Sequence, residues 1–208
     1  MTHQDGHVID VTAGNITTKE SDELVHALNE RLGSERLRWV TGHGPHQLLI
    51  ARDPSMGAES AVPRCAPDRL MGQRWSNHLP RGPLGMTLHA LMEQASGLLE
   101  AHPVNRVRVD LGENPANLLW LWGPASIKPQ RSFAEWAGCS GAIVSTYFPM
   151  RGLSQTLGLT WQEGPPSFEE SSLHALMGSL ETLLTRHDRV YVHLRVTAVD
   201  PVERLCVM

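Results

Sequence analysis

The densest recognition chemistry in this chain brackets a single turn. Asn105 and Arg108 lie in His102-Pro-Val-Asn-Arg-Val-Arg108, and Asn117 ends Gly112-Glu-Asn-Pro-Ala-Asn117, just before the apolar run 118–122. An amide offers donor and acceptor together, and a guanidinium offers a fork of donors that matches carboxylate or phosphate. The trio therefore has the means to hold hydroxyl and anionic groups of a ligand. The asparagines suit turn capping and helix closure equally well, and both readings stand at this point. Arg151, just after the apolar stretch 141–145, is a second cation able to face a phosphate. His43-Gly-Pro-His46 is the one close histidine pair; it reads as a solvated or substrate-facing turn, since a zinc site would need a second pair of ligands. His193, inside an apolar stretch, reads as a buried and satisfied histidine, and Trp120 and Trp122, two apart, as packing residues on one strand face. GxSxG, P-loop, GxGxxG and HExxH patterns are absent.

These residues need elements to place them. Val8-Ile9-Asp10-Val11 predicts a strand, and Thr17-Thr-Lys-Glu20 has capping-box spacing ahead of Leu24, Val25, Leu28 and Leu32 on one helix face, with Gly33 as the stop. Strands are expected at 37–40 and 47–51 around the His43–His46 turn. A long loop is expected from 52 to 85, and a helix from 84 to 101 that ends at the His102 block. Residues 118–122 read as a central strand buried on both faces. After a short helix at 132–136, strands at 141–146, 159–161 and 189–196 alternate with helices at 150–157 and, behind a second capping box at Ser167-Phe-Glu-Glu170, at 173–184. This order predicts an α/β fold with a mainly parallel sheet flanked by helices from residue 116 onward, preceded by an α+β region.

The bulk numbers narrow the function classes. The chain has 208 residues, 41% of them hydrophobic and 19% charged, enough for one large domain or two small ones with a real core. Net charge is −4 and no basic block exceeds two residues, so a nucleic-acid partner is not expected. The apolar run 118–122 is far too short to span a bilayer, and the polar first residues carry no signal-peptide core. Three scattered cysteines without a CxxC pair point to a reducing, cytoplasmic setting.

Blocks along the chain resemble the archaeal-type, cofactor-independent phosphoglycerate mutases, metalloenzymes related to alkaline phosphatase. They run in family order from Ile9-Asp10, Ala13-Gly14 and Cys65-Ala-Pro-Asp68, through Leu79-Pro-Arg-Gly-Pro83, the His102 block and the 115–123 run. They continue with Ser140-Gly-Ala-Ile-Val-Ser145, Arg151-Gly152 and Val190-Tyr-Val-His193. The resemblance implies a substrate-side, insert-like α+β region at 1–115 and part of an alkaline-phosphatase-like α/β core at 116–208. It implies substrate-binding roles for Asp10, His46, Asp68, Asn105, Arg108, Asn117 and Arg151, the last matching a family lysine. Family members interconvert 3-phosphoglycerate and 2-phosphoglycerate through a phosphoenzyme, with two Mn²⁺ or Mg²⁺ ions. The segments with the nucleophile and most metal ligands have no counterpart here. Ala198 stands where the family has a metal-binding Asp, the family arginines after Asp10 are missing, and a glycine-rich loop appears as Gly164-Pro-Pro-Ser167. No catalytic residue, metal or cofactor is therefore expected on this chain. The expectation is a binding module for a phosphorylated sugar acid or, in the alternative, a pseudoenzyme or split-enzyme subunit. Its sheet edge would be covered by a second copy or a partner chain.

Overall fold

The computed structural model describes residues 1–52, 65–79, 82–123 and 130–195, which fall into two compact units, Met1–Ile127 and Lys128–Met208.

The first unit is α+β. A short antiparallel pair, β1 (Thr2–Gln4) and β2 (His7–Asp10), precedes helix α1 (Thr18–Leu32). Its start follows from the sequence: Thr17 and Glu20 cap each other's backbone amides, and Gly33 ends the helix. Leu24, Val25 and Leu28 face inward with Trp39, Ala95 and Leu99. Strands β3 (Leu37–His43) and β4 (His46–Ala51) form an antiparallel hairpin where two strands around a turn were expected, each longer than the sequence implied. The free edge of β3 is occupied by one side chain. The Asn29 amide donates to the Trp39 carbonyl and accepts from the Trp39 amide, at 2.9 and 2.8 Å, as a neighbouring strand would.

Two 3-10 turns, Pro67–Leu70 and Trp75–His78, lie in the expected long loop, of which 53–64 and 80–81 are outside the described residues. Helix α2 spans Gly82–Glu100. The His102 block does not simply end it. His102 caps a separate helix, α3 (Pro103–Asp110), its ring nitrogen accepting from the Val104 amide; Pro103 at the first position suits that start.

Residues 118–122 correct a second expectation, since they join no strand ladder. They run extended between two cores, Leu118 and Trp120 packing with Val8, Leu70 and Met92, and Leu119 and Leu121 against the α1–α2 core. Continuous apolarity reports burial on both sides, and here helices and loops supply both sides.

The second unit is a parallel α/β sheet. After the short helix α4 (Phe133–Ala137), capped by Ser132 and Glu135, come strand β5 (Gly141–Ser145) and helix α5 (Pro149–Leu157). Strand β6 (Thr160–Glu163), helix α6 (Glu170–Leu184) and strand β7 (Arg189–His193) follow. The sheet order is β6-β5-β7, all parallel. Ala142 and Val144 pack against Leu176 and Leu183 of α6. The expected capping box at Ser167 does not form. The helix starts after Glu169, and the Ser167 hydroxyl pairs with that of Ser172 at 2.9 Å.

Candidate functional site

Four of the seven sequence candidates meet in the first unit. Asp10, at the end of β2, accepts from Thr12 through its amide and hydroxyl, both at 2.7 Å, from the Gly14 amide at 2.5 Å and from Asn114 at 2.9 Å. Burial opposes its ionisation, but the bonds from Asn114, Gly14 and Thr12 outweigh that and bring its pKa from 3.8 down to about 2. The loop it holds is strained. Ala13, Gly14 and Asn15 have φ of +51°, +64° and +53°, a left-handed path that is unfavourable for Ala13. A Cβ on Gly14 would stand 2.7 Å from Arg108 Nη2, so both the dihedral and the space demand glycine there.

Arg108 is the clamp on the other side. Only 3% exposed, it donates from Nε to the Asn114 carbonyl at 2.9 Å and from Nη2 to the Ala13 and Gly14 carbonyls at 2.7 and 3.3 Å. Its Nη1 faces carboxylate oxygens of Glu20 at 2.7 Å and Glu113 at 3.1 Å. Burial also opposes ionisation of Glu20, and bonds from Thr17 and Arg108 overcome it, holding that carboxyl below its ordinary range. Asn105, 2% exposed, donates to the Leu99 and Ala116 carbonyls and accepts from the Ala116 amide. Asn117 pairs with both backbone groups of His3. The hydrogen-bonding capacity of Asp10, Asn105, Arg108 and Asn117 is thus largely taken up inside the chain, where it joins α1, α3 and the 112–117 turn. His46, across the hairpin end from His43, and Asp68, on the first 3-10 turn, are exposed and apart from this network.

The second unit holds Arg151 and a group that sequence reasoning missed. The chain leaves β5 through α5 to β6 on one side, then returns through α6 to β7 on the other. The sheet therefore reverses direction around β5, and in open parallel sheets such a reversal opens a crevice beyond the carboxyl ends of the strands. Arg151, in the first turn of the exiting helix, is exposed and has no side-chain partner among the described residues. Register places Glu163, Ser145 and His193 abreast at these ends. Ser145 Oγ, buried, accepts from the Tyr147 amide at 3.0 Å and lies 2.9 Å from His193 Nδ1. The Tyr147 ring sits 5.9 Å from the imidazole, and the Arg195 guanidinium carbon lies over the same tyrosine ring, 5.3 Å from its centre. Thr146 fixes the approach, its hydroxyl accepting from the Arg195 amide at 2.7 Å. Gly164 lies against this end, its amide donating to the Ser145 carbonyl. His193 is accordingly exposed at a strand end rather than buried, with one ring nitrogen satisfied. The signal available in sequence was the spacing of His193 and Arg195, two apart and so on one face; their register against Ser145 was not visible.

Among the described residues, no three His, Cys, Asp or Glu side chains come together as metal ligands; the stretch with Ala198 and Asp200 lies outside those residues. The side chains described here do not fit a two-metal centre.

Fold and site define an α/β unit with a parallel sheet whose carboxyl rim carries hydroxyl, imidazole and guanidinium groups, and a separate α+β unit braced by a buried arginine. The chain belongs to the 2,3-bisphosphoglycerate-independent phosphoglycerate mutase family, whose model matches residues 1–105. It is 33% identical over 198 residues to the 2,3-bisphosphoglycerate-independent phosphoglycerate mutase of Methanosarcina acetivorans, covering 93% of this chain and 49% of that protein. It is 32% identical over 187 residues to the probable enzyme of Geobacter sulfurreducens, covering 89% and 46%. The structure of the cofactor-independent phosphoglycerate mutase from Thermoplasma acidophilum shares the fold, with a TM-score of 0.52 at 23% identity over 99% of this chain and 56% of that one. The chain thus spans about half the length of the curated relatives it matches. No helix among the described residues is long and apolar enough to cross a membrane.

Proposed function

We propose that this polypeptide binds a phosphorylated sugar acid of the 3-phosphoglycerate type in the cytoplasm and does not turn it over by itself. The observation that carries the reading is Arg151, an exposed guanidinium with no side-chain partner among the described residues, in the first turn of the helix that leaves the carboxyl end of β5, in a phosphoglycerate mutase family member. Asp10, Asn105, Arg108 and Asn117 then act as scaffold, so a ligand draws its charge recognition from the second unit. The replacement of a family metal-binding Asp by Ala198 supports binding without phosphoryl transfer.

Calorimetric titration of the purified chain with 3-phosphoglycerate tests this. Micromolar binding that weakens about tenfold in Arg151→Ala is expected, the loss of one charge-assisted contact. Absence of binding at millimolar ligand, or 2-phosphoglycerate formation in an enolase-coupled assay with Mn²⁺, refutes it. A second reading, a subunit that completes its site with a partner chain, draws on β7. Its outer side pairs with no strand among the described residues, and Tyr191 and Val192 are 44% and 45% exposed. Light scattering that shows only monomer for the purified chain, together with elution of the chain as monomer from a cell lysate, argues against it.

A further inference from the structure

The side chains around the Tyr147 ring form more than a packing contact. His193 and Arg195, two residues apart, both lie against one ring, the imidazole at 5.9 Å and the guanidinium at 5.3 Å. That ring therefore gathers an imidazole and a guanidinium on one short stretch of rim. Arg195 is exposed, and its guanidinium meets no carboxylate among the described residues. Its backbone is fixed rather than loose, because the Thr146 hydroxyl accepts from the Arg195 amide at 2.7 Å and donates to its carbonyl at 3.5 Å. The imidazole is fixed as well. Ser145 Oγ already accepts from the Tyr147 amide, and the acceptor left to its hydroxyl among the described residues is His193 Nδ1 at 2.9 Å. The hydrogen-bond network thus assigns the ring proton to Nε2, away from Ser145, as an outward donor. Glu163 ends β6 on the opposite flank of Ser145, so the rim has an acidic end toward β6 and a cationic end toward β7.

We propose that His193 Nε2–H and the Arg195 guanidinium, positioned by Ser145, Thr146 and Tyr147, form an oxyanion-binding subsite for a phosphate monoester or carboxylate. The subsite deepens the binding role proposed above and rests on it for the identity of the natural ligand. It pre-orders both donors before ligand arrives, so little side-chain freedom is lost on binding. Held over the Tyr147 ring, the Arg195 guanidinium keeps its N–H donors for a ligand, since it meets no acceptor among the described residues.

The test is titration of the full chain with inorganic phosphate, with D-glycerate and with 3-phosphoglycerate, followed by calorimetry and by the His193 imidazole resonances in NMR. Wild type is expected to bind phosphate, with the His193 signals shifting. Arg195→Gln and His193→Gln are each expected to weaken binding about fivefold or more, and Arg186→Gln, on the surface after α6, to leave it unchanged. Thermal melts of each variant report whether the fold persists; Tyr147→Leu, which removes the platform but no charge, is expected to weaken phosphate binding less than Arg195→Gln. Preference for phosphate over glycerate identifies the phosphoryl group as the recognised one, and the reverse identifies the carboxylate. Phosphate binding equal in wild type and Arg195→Gln, or no binding and no His193 shift in wild type, overturns the subsite. If 3-phosphoglycerate binds wild type and Arg195→Gln equally, the subsite falls and the binding role stands. If phosphate binding depends on Arg195 but 3-phosphoglycerate does not bind, the subsite stands and the binding role falls.

Discussion

Arg108→Lys separates a scaffold arginine from a ligand-binding one. Arg108 spreads three nitrogens over three carbonyls and two carboxylates. A lysine carries its charge on one nitrogen with three donors, so at least two of these five acceptors lose their partner, and the separate position of Nε cannot be reproduced. At 3% exposure, water does not replace them fully. Two lost bonds to a charged donor amount to about 3 kcal/mol. In a unit the size of Met1–Ile127 this lowers the melting temperature by about 10 °C. The assay is thermal unfolding by near-UV circular dichroism, where the buried Trp39 and Trp120 report the first unit, alongside 3-phosphoglycerate titration below the transition. A melting temperature within about 2 °C of wild type, combined with loss of ligand affinity, refutes the scaffold role and returns Arg108 to the binding site.

Two further outcomes follow from the same geometry. The Asp10 carboxyl titrates near 2 in the fold against 3.8 without it, so its stabilisation is complete above about pH 4 and fades as pH falls toward 2. The full difference corresponds to about 2.4 kcal/mol, which solvent screening at this partly exposed site reduces to about 1 kcal/mol. Asp10→Asn should flatten that part of an acid-unfolding curve, and an unchanged slope between pH 4 and 2 contradicts the assignment. Gly164→Ala places a Cβ 2.7 Å from Thr146 Cγ2 and 2.8 Å from the Thr146 amide nitrogen, a clash with backbone that cannot swing away. It should destabilise the second unit by about 1–3 kcal/mol and weaken phosphate binding; denaturant unfolding with unchanged midpoint shows that the loop yields freely.

Legibility followed the range over which each signal acts. Thr17 was readable as a cap because donor and acceptor lie within four residues, and the Ser132–Glu135 box, with the same short spacing, is one that the sequence reading passed over. Ser167 has the same spacing, but the helix begins two residues later, which the four-residue pattern does not encode. The α/β order and the helix faces of α1 and α6 follow from periodicity. Residues 118–122 show the limit, since apolarity reports two buried faces without saying whether strands supply them. Among candidate residues, Asn105 and Arg108 were recognisable as unusual, yet their partners Leu99, Ala13 and Glu20 lie between 6 and 95 residues away. Ser145 and His193 are 48 residues apart and meet through parallel register alone.

The first unit also brings distant parts of its backbone side by side. The Met1 nitrogen donates to the Leu118 carbonyl, the Thr2 hydroxyl donates to the Pro115 carbonyl, and Asn117 holds both backbone groups of His3. Tension applied at residue 1 and at residue 118 would therefore load these few bonds one after another, like a zipper, before it reached the core around α1 and α2.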